Sequence, residues 1–97
     1  MEKINVTDNA FLRQFETKVQ GELAKIEYAQ QERKIFLTKL VVPKEKCTND
    51  FSDAFIKEVL SIISERNISM MPTSPEIVLF IRKNKRYRSM LPIGVRI

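Results

Sequence analysis

The chain has 97 residues with no histidine, one cysteine, two glycines and a formal charge of +5, enough for one domain with a single two-layer core. Without histidine there is no Ser/His or Cys/His nucleophile pair and none of the usual zinc sites. A lone Cys47 permits no intrachain disulfide, and Gly21 and Gly94 cannot supply a P-loop or a dinucleotide fingerprint.

Phe15, Thr17 and Val19 alternate with Glu16 and Lys18 as in a half-buried strand, and Gln20-Gly21 offers a tight turn into a second strand over Glu22 to Tyr28. The polar stretch Gln30 to Arg33 turns the chain again, into Lys34 to Val42, rich in β-branched and aromatic residues and ended by Pro43. These segments predict an antiparallel meander of three strands. From Phe51 to Arg66 the period changes: Phe51, Ala54, Phe55, Val59, Ile62 and Ile63 recur every three or four residues, as on one helical face. Thr48, Asn49 and Asp50 are candidate N-caps, and Asn67 can close the helix in a left-handed conformation. Ile68 to Met71 has few polar neighbours and reads as a short central strand, buried on both faces and parallel to its neighbour after the crossover helix. Ser74-Pro75-Glu76 then starts a final short helix, with a hydroxyl at the cap, proline at the first helical position and an acid in the first turn. Residues 1–97 therefore read as a single α+β domain, with no linker or repeat to divide them. No apolar run approaches the roughly 18 residues of a membrane span, and the first residues lack a hydrophobic signal core. A cytoplasmic protein with no membrane partner is expected.

The ordered series Phe15-Glu16, Gly21-Glu22-Leu23-Ala24-Lys25-Ile26-Glu27-Tyr28, Leu37-Thr38, Val42-Pro43, Pro72-x-Ser74-Pro75, Phe80-Ile81-Arg82-Lys83 and Tyr87 resembles the small Yjdj-type domain of the GNAT N-acetyltransferase superfamily. The resemblance runs from about Phe15 to Arg88 and implies a GNAT-like (acyl-CoA N-acyltransferase) fold, in which a parallel strand pair splays apart to admit acetyl-CoA. It also implies transfer of an acetyl group to an amine acceptor. Backbone groups of Leu40, Val41 and Val42 would align the pantetheine arm, and Lys44, Thr48, Asn49, Asp50 and Ser52 would meet the pyrophosphate.

In that family an Arg-Gly-x-Gly-x-Gly type loop presents backbone N–H groups to the pyrophosphate at the start of the long helix, a ready anion site. Here the matching stretch, Cys47 to Ser52, has neither the arginine nor any glycine. Asp50 and Asp53 instead place carboxylates in the first turn. Each stabilises the helix by about 0.3–1 kcal/mol, whereas a carboxylate about 6 Å from a phosphate charge repels it by about 3 kcal/mol at an effective dielectric near 20. Repulsion dominates, and weak or absent coenzyme A binding is expected.

Ser74 falls where the family often carries a cysteine and is the candidate catalytic residue. Without a histidine its hydroxyl is not activated, and an N-cap role is the simpler reading. Glu22, Glu27 and Glu45 are candidate bases among which nothing in the sequence selects, while Cys47 beside Lys46 is a thiol near a helix start. No metal site is expected.

The charge is uneven. Residues 1–80 hold eleven Lys/Arg against twelve Asp/Glu, while residues 81–97 hold six basic residues and no acid. The run Arg82 to Arg88 suits phosphate contacts, but a solvated helix end is the simpler reading and no nucleic-acid partner is expected; the resemblance implies that Arg82, Lys83 and Tyr87 serve the domain's architecture or its cofactor phosphates. The apolar end, Leu91 to Ile97, could pack back or meet a second copy, giving a homo-oligomer. The alternative to a transferase is a non-catalytic interaction or dimerisation module that keeps the fold.

Overall fold

The computed structural model describes residues 4–19, 21–43, 49–92 and 94, with the backbone alone for Asn49. Five strands, β1 (Thr7–Asn9), β2 (Gln14–Val19), β3 (Glu22–Gln31), β4 (Lys34–Val41) and β5 (Ser69–Pro72), lie in one sheet in that order. All pairs are antiparallel except β4 with β5, which the helix α1 (Asn49–Glu65) connects. A second helix, α2 (Pro75–Lys83), and a 3₁₀ helix (Lys85–Met90) complete the chain.

Local chemistry sets the boundaries. Gly21, at φ +82, takes the left-handed position of the β2–β3 turn, where a side chain would be strained. Glu32, at φ +52, does the same between β3 and β4. Asn67, at φ +55, closes α1 as its amide side chain allows. Helix α2 opens with Pro75 and ends at Asn84, whose side-chain amide donates to the Phe80 carbonyl at 2.9 Å. Among the described residues no helix is long and apolar enough to cross a membrane.

The registers Phe15↔Ile26, Thr17↔Ala24 and Tyr28↔Leu37 put the buried strand residues on one sheet face. Phe55, Ile56, Val59, Leu60 and Ile63 of α1 cover that face, and Ile77, Phe80 and Ile81 of α2 join the same core. Burying each such side chain is worth about 1.5–3 kcal/mol. The 3₁₀ helix folds back through Tyr87, whose ring lies 5.5 Å from that of Phe80.

Two expectations need correction. The sheet has five strands because β1 pairs with the outer edge of β2. The short strand β5 lies at the opposite edge of the described sheet, and only Met70 and Pro72 are buried while Ser69 and Met71 are half-buried. Its apolar residues pack on the helices from one side, which satisfies them without a further strand.

A polar network secures β1. The Tyr28 hydroxyl donates to Asp8 Oδ1 at 2.7 Å, and Arg66 at the end of α1 pairs with Asp8 Oδ2 at 2.7 Å. The same guanidinium lies 5.7 Å from the centre of the Phe15 ring. Burial, reinforced by the hydrogen bond to Asp8, pushes the Tyr28 phenol up from 10.0 to about 12. The folded state therefore holds this proton more tightly than the unfolded chain does. The resulting stability is fully present below pH 10 and is lost as pH rises toward 12. Urea unfolding in that window should show a steeper loss in the wild type than in Tyr28→Phe, and equal slopes would contradict it.

Candidate functional site

The strands β4 and β5 share a ladder only from Lys34↔Ser69 to Leu37↔Pro72. At its end the Leu37 carbonyl accepts the Thr73 N–H at 3.0 Å, the Ser74 N–H at 3.2 Å and the Thr73 hydroxyl at 3.1 Å. Beyond that point β4 continues to Val41, paired among the described residues only with β3. Between the pairs Tyr28↔Leu37 and Glu27↔Lys39 one residue of β4, Thr38, has no opposite number. Such a bulge bends its strand and raises the local twist. The Thr38 hydroxyl steadies it by donating to the Glu27 carbonyl at 3.2 Å. Among the described residues nothing pairs with the edge of β4 turned away from β3, and such an edge carries N–H and C=O groups free to bond a ligand.

A cleft of about 540 Å³ occupies this opening, within the roughly 300–1,000 Å³ of small-molecule sites. Lys39, Leu40, Val41 and Val42 form the β4 wall, Ser52, Asp53 and Ile56 the α1 wall, and Glu76, Leu79, Phe80 and Lys83 the α2 wall. Leu79 is 53 % exposed, a large apolar side chain on an otherwise open wall. The lining is mainly apolar and carries two cations, Lys39 and Lys83, and two carboxylates, Asp53 and Glu76.

Of the residues expected from sequence, Leu40, Val41, Val42 and Ser52 meet in this cleft. Asp50 is exposed in the first turn of α1 and does not line it. Lys44 and Thr48, with Cys47 and Glu45, lie outside the described residues, as does the side chain of Asn49. Glu22 and Glu27 sit on β3 and line no part of the cleft, and Glu27 pairs with Lys25 at 3.1 Å. Phe51 packs 6.1 Å from Phe55, ring to ring, and also stays off the cleft lining.

Ser74 occupies the cap position of α2, with φ −74 and ψ 130, and its carbonyl accepts the Val78 N–H at 3.0 Å. Its hydroxyl makes no capping bond. Buried at 1 % exposure, Oγ has no hydrogen-bond partner among the described residues. The sequence thus locates the cap but not the bond expected of it.

Sequence reasoning missed Lys39 and Glu76 as cleft residues, and of Arg82, Lys83 and Tyr87, to which the resemblance gave a structural or phosphate role, Lys83 lines the cleft. Spacing three and seven residues apart puts Glu76, Leu79 and Lys83 along one side of α2. That signal was present but inseparable from a solvated face.

A mixed sheet carrying helices, with a parallel pair that parts beyond a bulge, defines an α+β acyl-CoA N-acyltransferase-like architecture. The chain belongs to the GCN5-related N-acetyl-transferase family, whose profile matches residues 14–90. A search of curated proteins finds no match.

Proposed function

We propose that the protein is an acetyl-CoA-dependent N-acetyltransferase of the small Yjdj type, acting on an amine. The observation that carries this reading is the open cleft along the edge of β4 turned away from β3. Leu40, Val41, Val42, Ile56 and Phe80 offer apolar contact to a pantetheine arm, and the peptide groups of that edge suit its amides. The nucleotide end fits less well, because Cys47 to Ser52 lacks the family's glycines, and α1 carries Asp50 in its first turn and Asp53 just after it. Both are exposed, so solvent screening reduces their repulsion of a phosphate.

When bound, acetyl-CoA supplies an activated thioester. Glu76, the cleft carboxylate in the first turn of α2, is our candidate to accept the proton that the amine gives up as its new N–C bond forms and the thioester C–S bond breaks, with coenzyme A leaving as a thiolate that takes up a proton. Ser74 lies beside Leu37, where the strands part, but no histidine exists to activate it, so it takes no covalent role here.

Titration with acetyl-CoA, followed by NMR, tests the reading. Saturable shifts are expected at residues 39–42 and 52–56, with a Kd in the hundreds of micromolar, about −5 kcal/mol. Asp53→Asn should tighten acetyl-CoA binding by roughly threefold or more, since one exposed repulsive charge is removed. It should leave S-acetyl-pantetheine, which lacks the nucleotide phosphates, unchanged. No shift in the cleft at millimolar acetyl-CoA would overturn the proposal in favour of a non-catalytic module.

A further inference from the structure

We infer that Lys83, at the C-terminal end of α2, holds the phosphates of the cofactor's nucleotide half, assisted by Lys39 on the β4 wall of the same cleft. The inference rests on the cleft being an acyl-CoA site. Such a ligand joins a mostly apolar arm to a polyanion, so the cleft that takes it needs cations where the phosphates emerge.

The two helices lining the cleft differ sharply in charge. At the start of α1, the usual anion seat of a helix N-terminus is opposed by Asp50 and Asp53, and Asp53 lines the cleft itself. Along α2 the charge changes sign. Glu76 and Lys83 both line the cleft, and seven residues of helix separate them by roughly 10 Å. Beyond Lys83 the chain carries Lys85, Arg86 and Arg88, all exposed and none in an ion pair among the described residues. Of the cations in residues 82–88, Lys83 is the one that lines the cleft, whereas Arg86 lines a separate hollow with Lys57 and Tyr87. Lys39 is the other cation on the lining. A lysine ammonium is a compact donor suited to phosphate oxygens.

This assignment also orients the ligand. With the phosphates at Lys83, the arm runs along α2 toward its first turn, which brings the thioester to the end that holds Glu76 and the parting of the strands at Leu37. Lys83 thereby gains a role that requires no polynucleotide.

Calorimetric titration of the full chain with acetyl-CoA and with S-acetyl-pantetheine tests the assignment. Lys83→Ala should weaken acetyl-CoA binding about tenfold, equivalent to about 1.4 kcal/mol, and leave S-acetyl-pantetheine binding unchanged. Lys83→Arg should retain most of the affinity. Lys85→Ala, which changes the net charge equally but lies off the cleft lining, should stay within about twofold of wild type, as expected of a screened charge. Lys83 is exposed, so these variants should fold, and an unchanged amide spectrum checks that. Wild-type affinity in Lys83→Ala, or an equal loss in Lys85→Ala, overturns the anchor while leaving the cleft as an acyl-CoA site. Failure of the wild type to bind either ligand overturns both.

Discussion

Deletion of Thr38 is expected to leave the domain folded and to weaken acetyl-CoA binding by at least about tenfold, or 1.4 kcal/mol. Thr38 is the extra residue of β4, lying between the pairs Tyr28↔Leu37 and Glu27↔Lys39. Its removal joins those two pairs into a regular ladder, so Lys39, Leu40 and Val41 keep their present faces and the core is not inverted. The folding cost is small. One hydrogen bond at an exposed site, Thr38 Oγ1 to the Glu27 carbonyl, is lost, worth about 0.5–1.5 kcal/mol. The consequence for the cleft is large, because the bulge bends β4 and its removal straightens the strand. The edge from Lys39 to Val41 would then run closer to the line of β5, and the opening of about 540 Å³ would narrow. Amide spectra establish folding, and titration with acetyl-CoA reads the affinity. Wild-type affinity in the deletion variant would show that the bulge does not hold the cleft open.

This dependence on one unpaired residue explains why the cleft was harder to read than the elements around it. The period of α1 is legible because Phe55, Val59 and Ile63 must share a face to be buried. The start of α2 is legible because Pro75 at the first helical turn has a backbone meaning. Thr38 has no such mark. The run from Ile35 to Val42, apolar except at Thr38-Lys39, fits a straight strand as well as a bulged one, and only pairing with Glu27 and Tyr28 distinguishes them. The strand β1 escaped notice for a related reason. Thr-Asp-Asn has little intrinsic strand preference, and the segment is ordered by β2 and by the contacts of Asp8 to Tyr28 and Arg66, the latter 58 positions away. The expectation of a central β5 failed because Met70 and Pro72 find their burial on one face, against helices. For the site, residue type narrowed the choice without fixing it: Glu22, Glu27 and Glu76 are equal as carboxylates, and topology alone brings Glu76 to the cleft.

Phe55→Ala is expected to cost about 3–5 kcal/mol of folding stability, a fifth or more of the roughly 5–15 kcal/mol available to such a domain. Phe55 is fully buried in the first half of α1, and its ring is 6.1 Å from that of Phe51. The helix is held to the sheet by the strip that also includes Ile56, Val59, Leu60 and Ile63, so truncation opens a cavity in the middle of the layer interface. For a domain of this size the loss should lower Tm by roughly 15–30 °C, read by circular dichroism. Phe51→Ala, at a half-buried position on the rim of the same strip, should cost only about 1 kcal/mol. The comparison bears on the cleft because Ile56, next to Phe55, is one of its lining residues. At acetyl-CoA concentrations about tenfold above Kd, ligand linkage should raise wild-type stability by about 1.4 kcal/mol. The gain should be smaller in Phe55→Ala if the first half of α1 must be firmly seated to complete the α1 wall. An equal gain in both proteins would show that the cleft binds through β4 and α2 without help from α1, and a loss below about 1 kcal/mol in Phe55→Ala would show that α1 is anchored elsewhere.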